Sequence, residues 1–215
     1  ASTITLTDAP ATPTFSSVTT TGLTVDWTAT TGASSYKLDV STASNFASFV
    51  SGYQDLTVNG TSQAVTGLTA NTIYYARIRS VNASGTSANS TSGNSATLSN
   101  APTVGTASSI TTSSLTANWT APSSQGAVTF TYTVELSTNS SDFSSPVSTA
   151  SGIASGTTTN AFSSLSEGTT YYYRIKAVNS AGSSAWGSVS AGATTLTSSI
   201  SLTTLGTAVT QNFDG

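Results

Sequence analysis

Few side chains in this 215-residue sequence carry groups that take part in chemistry. The sequence contains no His and no Cys, which excludes an imidazole base, a thiolate nucleophile and the common zinc sites. The groups that remain are mainly eight carboxylates: Asp8, Asp26, Asp39, Asp55, Glu135, Asp142, Glu167 and Asp214. Two carboxylates on either side of a sugar ring would hydrolyse a glycosidic bond, and a cluster of them in one loop would bind calcium.

The spacing of the carboxylates supports neither kind of site. No Asp-x-Asp pair occurs and no loop holds three acids, so calcium ligands are not grouped. Asp26 and Asp39 fall in successive strands that a β-sandwich would place in opposite sheets. Asp8 and Asp214, at the two ends, are the only candidates for an interdomain ion site. We therefore predict single solvated acids, no catalytic residue, no cofactor and no metal site.

The charge balance excludes several partners. Only five Lys and Arg and eight Asp and Glu are present, 6% of the chain, where an ordinary soluble domain has about 25%. Five scattered cations and a net charge of −3 cannot form the basic patch that nucleic acid requires. No run of about 18 apolar residues occurs, so we expect no membrane insertion.

A repeated stretch reveals how the chain is organised. Residues Thr169 to Gly182 recur upstream as Thr72 to Gly85, and each copy alternates large and polar residues with a period of two. This alternation predicts one long strand per copy with one buried face. In the second copy the residues expected to point inward are Tyr171, Tyr173, Ile175 and Ala177, and those expected to point outward are Tyr172, Arg174 and Lys176.

The repeat extends over nearly the whole chain. Trp27 matches Trp119 at an offset of 92 residues, and Tyr74 matches Tyr171 at an offset of 97. The five additional residues of the second copy fall in loop compositions near 122–128 and 139–142, where insertions cost little. Each copy has about seven short strands separated by turns and no amphipathic helix, which is typical of an antiparallel β-sandwich.

Certain residues occupy matching places in both copies: a Trp that ends an early strand, a Leu six residues before a strand Tyr, and Val-Asn-x-x-Gly after that strand. They are Trp27 and Trp119, Leu68 and Leu165, and Tyr74 and Tyr171. In combination they resemble fibronectin type III domains over residues 9 to 197. The resemblance implies an all-β fold of two seven-stranded immunoglobulin-like sandwiches in tandem, without disulfides, in a secreted or surface bacterial protein.

The resemblance also implies roles and boundaries. Trp27 and Trp119 would be the central core rings, and the hydroxyls of Tyr74 and Tyr171 would bond the backbone near Leu68 and Leu165. The expected domains are 9–99 and 100–197. We interpret 1–8 as the end strand of a preceding repeat or a linker, because it matches the residues before the second domain. We interpret 198–215 as a terminal strand or the start of a following domain, similar to β-rich domains of secreted bacterial proteins.

The junction between the two copies is short. Pro102 lies within it and fixes its own φ angle, which removes further freedom. The sequence therefore predicts two sandwiches that lie end to end as a short rod.

All five cations fall at outward positions of two neighbouring strands: Lys37, Arg77, Arg79, Arg174 and Lys176. Two acids also occupy outward positions there. We predict exposed cross-strand pairs of Asp39 with Arg77 and of Glu135 with Arg174, which specify strand register more than stability. The alternative is a face that docks a partner.

Trp186 breaks the repeat, because Asn stands at the corresponding place in the first copy. In the resembled family such a Trp often lies over the cations of the neighbouring strand, which implies a cation–π stack with Arg174 or Lys176. The alternative is an exposed platform for a sugar ring or another protein, formed with Tyr172 or Tyr53.

Three functions are compatible with these features. The first is a non-catalytic spacer in an extracellular or cell-surface protein, whose partners are the flanking domains of the same polypeptide. The second is a homo-oligomeric fibre or surface layer, because the edge strands expected within 12–24 and 86–99 carry no protective charge. The third is an adhesion module that binds a carbohydrate or a surface protein through Trp186.

Overall fold

The computed structural model describes residues 5–123 and 125–198, and within these ranges it contains sixteen β-strands and no helix. The strands of the first domain are β1 (Thr14–Ser16), β2 (Gly22–Asp26), β3 (Ser35–Ser41), β4 (Leu56–Val58), β5 (Ser62–Thr66), β6 (Ile73–Asn82), β7 (Gly85–Thr86) and β8 (Gly93–Ala96). Those of the second are β9 (Thr103–Val104), β10 (Leu115–Thr120), β11 (Thr131–Ser137), β12 (Ser148–Ala154), β13 (Thr159–Phe162), β14 (Thr170–Asn179), β15 (Gly182–Ser183) and β16 (Ala193–Thr194).

The strands of each domain form two antiparallel sheets. In the first domain β1, β2 and β5 form one sheet in that order, and β4, β3, β6 and β7 form the other, with β8 also paired to β6. The second domain repeats this with β9, β10 and β13 opposite β12, β11, β14 and β15, with β16 paired to β14. The last strand of each domain is split into two segments. When each is counted once, both domains have seven strands, which confirms the predicted tandem sandwiches.

The long tyrosine-rich strand follows the predicted alternation. In β14 every second residue from Tyr171 to Ala177 is buried, while Arg174 and Lys176 between them are partly exposed. The strand pairs with β11 in a continuous register that places Glu135 opposite Arg174. Large residues at every second position therefore fill the space between the sheets, and the charged ones cover the outer face.

Each core is centred on one tryptophan. Trp27 and Trp119 are buried and form T-shaped contacts with Tyr36 and Tyr132, at ring-centroid distances of 5.5 and 5.2 Å. The indole nitrogens of both lie buried without a hydrogen-bond partner among the described residues. Their contribution is therefore packing rather than hydrogen bonding.

The corner tyrosines form the expected bonds to the backbone. The Tyr74 hydroxyl accepts a hydrogen bond from the Thr69 amide at 2.8 Å, and the Tyr171 hydroxyl accepts one from the Ser166 amide at 3.0 Å. Each amide belongs to the residue that follows the buried Leu68 or Leu165. These bonds fix the loop between the fifth and sixth strands of each domain. In the first domain that loop contacts the residues of the domain junction.

Tyr173 adds a link between the sheets of the second domain. Its hydroxyl donates to the Gly105 carbonyl at 2.7 Å and accepts from the Asn118 amide at 3.2 Å. Burial raises the pKa of this hydroxyl above its usual value. Ala76 stands at the corresponding position of the first domain, so only the second domain has this link.

Two further observations concern membranes and metals. Among residues 5–123 and 125–198, none of the secondary structure is a helix that could cross a bilayer. The same part of the chain brings no three acidic side chains together as a possible metal site. The interpretation of the terminal segment and the candidate ion ligand Asp214 concern residues 199–215, which lie outside the described ranges.

Candidate functional site at the domain junction

The backbone at the junction is buried and hydrogen-bonded. Thr97 and Ser99 are fully buried, although both are polar. The Leu98 carbonyl accepts from the Asn71 amide at 2.9 Å, and the Thr97 hydroxyl donates to the Thr69 carbonyl at 2.7 Å. The junction therefore runs along the loop between β5 and β6 instead of leaving the first domain freely.

Asn71 is the residue that joins the two domains. Its backbone is in the left-handed region, with φ of 51°, which Asn tolerates better than most residues. Its side-chain nitrogen donates to the carbonyls of Gly126 and Val128 at 3.1 and 2.7 Å. Its side-chain oxygen accepts from the Asn179 amide nitrogen at 2.9 Å. Asn71 is 0% exposed, so all three bonds are shielded from water.

Asn179 completes the network from the second domain. Its amide nitrogen donates to the Thr97 carbonyl at 2.9 Å as well as to Asn71. Its side-chain oxygen accepts from the Ala181 amide at 2.9 Å, which holds the side chain in the turn after β14. Both hydrogens of one buried amide are thus used across the junction.

The loop between β10 and β11 contributes its backbone to the same contact. Gly126 donates to the Ala70 carbonyl at 2.8 Å, and Val128 donates to the Asn71 carbonyl at 3.2 Å. A Cβ atom at Gly126 would lie 2.6 Å from the Asn71 carbonyl oxygen, so only glycine fits there. The Gln125 side-chain oxygen accepts from the Ser99 hydroxyl, at 2.9 Å. The interface therefore consists of satisfied polar groups, which bond fully in only one relative arrangement of the domains.

The extra length of the second domain provides this loop. Tyr132 lies 13 positions after Trp119, and Tyr36 lies nine positions after Trp27, so the loop is four residues longer (132 − 119 against 36 − 27). The sequence alone indicates a tolerated loop insertion and does not point to Asn71 or Gln125. The change of offset between the copies was the signal that marked this loop as specific to the second domain.

The charged face of the first domain differs from the expectation in one respect. Asp39 pairs with Arg77 at 2.9 Å, as predicted, and also with Arg79 at 3.1 Å and with the Asp55 amide at 2.8 Å. The prediction that Asp39 is a solvated acid is wrong, because the two guanidinium groups and the 55 loop cover it and leave it 1% exposed. Three partners at hydrogen-bond distance compensate for its lost hydration.

The charged face of the second domain is a stack of rings and cations. Arg174 donates two hydrogen bonds to Glu135, at 2.9 and 2.7 Å, as the strand register predicted. Its guanidinium carbon lies 4.5 Å from the centre of the Phe143 ring and 4.2 Å from the Trp186 ring. The Lys176 nitrogen lies 4.6 Å from the same Trp186 ring. The cation–π interpretation of Trp186 is confirmed.

The candidate ligand-facing residues do not form one site. Tyr172 lies on β14 and Trp186 lies in the segment between β15 and β16, and both are partly exposed. Tyr53 lies in the first domain, where its hydroxyl accepts from the Thr66 amide at 2.9 Å. The structure thus separates Tyr53 from the other two.

The comparisons with known proteins agree with this architecture. The model of the fibronectin type III domain family matches residues 8–95 and 100–192, so the chain belongs to that family. It is similar to a two-domain fibronectin type III segment of chicken tenascin, with 22% identity over 87% of this chain and 100% of that one, at a TM-score of 0.49. It is also similar to the FN1–FN3 domains of chicken CNTN1, with 15% identity over 89% of this chain and 68% of that one, at a TM-score of 0.48. No curated protein sequence matches the chain.

Membership of this family indicates the general kind of role. Tandem fibronectin type III domains are typical of structural or spacer modules, are generally non-catalytic and are common in extracellular or cell-surface proteins.

Proposed function

We propose that this chain is a rigid, non-catalytic spacer of a secreted or cell-surface protein that holds its flanking domains at a fixed separation and orientation. The observation that carries the proposal is the buried amide network of Asn71 and Asn179 across the junction. These buried polar groups are hydrogen-bonded only when both domains are docked, which favours a fixed junction over a flexible linker.

The outer faces support a structural role. Asp39 and Glu135 pair with arginines of the neighbouring strand. In the second domain Trp186 covers cations instead of standing free above the sheet. Such groups are already satisfied by intramolecular contacts, so an approaching ligand would have to displace them. This favours the spacer over the adhesion module.

Assembly through edge strands receives less support than the spacer. In the first domain the Pro13 carbonyl, just before β1, lies so close to Gly93 that no Cβ would fit, so β8 lies directly beside the start of β1. In the second domain the Pro102 carbonyl approaches Gly187 in the same way. At the β5 edge the Thr66 amide is bonded to the Tyr53 hydroxyl. An edge whose backbone is covered or bonded is a poor template for strand addition.

Small-angle scattering of the full chain tests the spacer. The control is the same chain with a flexible Gly-Ser segment inserted between Asn100 and Ala101, within the junction. The proposal predicts that the native chain scatters as one elongated body with a fixed maximum dimension. The control should show a broader range of maximum dimensions. If the native chain itself scatters as a broad ensemble of maximum dimensions, the junction does not hold the domains and the proposal is wrong.

A further inference from the structure

Each domain has a surface at its N-terminal end, which we call its N-terminal pole. It is formed by the four residues that lead into the domain, 5–8 or 97–100, and by the turn after the sixth strand of the domain. In the second domain Asn179 donates to the Thr97 carbonyl at 2.9 Å, and in the first domain Asn82 donates to the Thr5 carbonyl at 2.7 Å. Each Asn also accepts from the amide two residues on, at 2.9 Å in both domains. The pole of the first domain is therefore built in the same geometry as the pole that takes part in the junction.

Each pole also has a leucine in the same position, against the glycine of the turn. A Cβ atom at Gly182 would lie 3.5 Å from the Leu98 side chain, and one at Gly85 would lie 3.2 Å from Leu6. Leu98 is partly covered by the contact between the domains, whereas Leu6 is 54% exposed. The same apolar group is thus presented at both poles but covered at one.

The first pole also has an open cleft where the second is filled. The cleft measures about 510 Å³ and is lined by Thr5, Leu6, Thr7, Asp8, Thr31, Gly32 and Asn82. At the second pole the longer loop brings Gln125 against Ser99 and Asn100, the counterparts of Thr7 and Asp8. In the first domain the Ser80 hydroxyl holds the leading segment instead, by a 2.7 Å bond to the Asp8 carbonyl. The leading segment is thus fixed while the cleft beside it stays open.

We propose that this cleft is a docking site for the loop between the fifth and sixth strands of another fibronectin type III domain, with an Asn at the position of Asn71. That Asn would accept from the Asn82 amide as Asn71 accepts from Asn179. The inference rests on the proposed spacer function. The new contact would keep the bond between the two Asn side chains but not those to Gly126 and Val128, because the first domain lacks the longer loop that supplies them. The partner is therefore defined by its chemistry. It must present an Asn side-chain amide on a turn residue with left-handed backbone.

The opposite end of the chain shows why the partner is not simply a second copy of its last domain. The C-terminal pole repeats the loop geometry, because the Thr195 hydroxyl donates to the Ser166 carbonyl at 2.6 Å as Thr97 does to Thr69. However, the residue that corresponds to Asn71 in the second domain is Gly168. Both have a left-handed backbone, with φ of 59° at Gly168 and 51° at Asn71. A glycine supplies the turn but no amide. The cleft at the first pole therefore fits a loop like that of the first domain better than one like that of the second.

An extended chain tests the inference. An added copy of residues 9–96 is placed directly before Thr5, so that it joins Thr5 as Ala96 joins Thr97. The native sequence has no Cys, so spin labels attach only to introduced cysteines. One pair, Ser51→Cys in the added copy with Ala11→Cys in the first domain, spans the new junction. The matched pair, Ser51→Cys in the first domain with Thr103→Cys, spans the native one.

Pulsed electron spin resonance measures the distance distribution of each pair. The inference predicts one narrow distribution across the new junction, as across the native one, and a broadening of at least about twofold when Asn71→Gly is made in the added copy alone. A broad distribution at the new junction beside a narrow one at the native junction overturns the inference and leaves the spacer intact. A narrow distribution at the new junction that stays equally narrow with Asn71→Gly in the added copy also overturns the inference. Broad distributions at both junctions contradict the spacer itself.

Discussion

Replacing Asn71 by Gly should loosen the contact between the domains while leaving each domain folded. The substitution removes three buried hydrogen bonds, two from its amide nitrogen and one to its side-chain oxygen. At about 1 kcal/mol each, the contact should lose about 3 kcal/mol. Glycine keeps the left-handed φ of 51° without strain, so the loop itself should survive. Alanine at the same position should cost about 1 kcal/mol more, because its Cβ disfavours that conformation.

Amide hydrogen exchange measures this loss where it occurs. The Gly126 and Val128 amides bond across the junction, so they exchange when the contact opens. A loss of about 3 kcal/mol corresponds to exchange that is faster by about 100-fold. Ser164→Gly is the matched control, because Ser164 is exposed, has φ of 59° and lies away from the junction. If Asn71→Gly speeds exchange at these amides no more than the control does, the assigned role of Asn71 is wrong.

Three further outcomes follow from the domain cores and outer faces. Trp119→Ala should destabilise its domain by about 3 to 5 kcal/mol, and Trp119→Phe by less, because the indole nitrogen has no partner among the described residues; equal losses in urea denaturation would contradict this. Trp186→Ala should cost about 1 kcal/mol by removing its stack on Arg174, whereas glycan-array binding that disappears with it would favour the adhesion module. Hydrogen bonds from the Ser198 hydroxyl and amide lower the pKa of Glu167, so the stabilisation is present above the unfolded pKa and is lost as pH falls through the folded one. Glu167→Gln should remove that acid-dependent loss in thermal melts, and an unchanged pH profile would refute the assignment.

The sequence was sufficient to predict the sandwich because the evidence is local and repeated. The alternation in β14 specifies which residues face inward, and the strand register then pairs Glu135 with Arg174. Each of these inferences depends only on the period of a strand and on which strands are neighbours.

The contacts that involve loops could not be predicted in the same way. Asn71 reads as an ordinary turn residue, since Asn is common in the left-handed conformation. Its partners belong to a loop 55 residues later, and only the arrangement of the two domains brings them together. Asp39 was placed correctly on its strand, but its burial depends on a second arginine and on the path of the 55 loop. Strand periodicity carries no information on either point.

Residual dipolar couplings of the backbone amides test the rigid junction most directly, because they report the orientation of both domains in one partly aligned sample. If the junction of Asn71, Asn179 and residues 125–128 locks the domains, one alignment tensor will fit the couplings of both, with the relative orientation seen in the structure. Separate tensors of clearly different magnitude for the two domains would show independent motion. That result would contradict the spacer and the locked contact on which it rests.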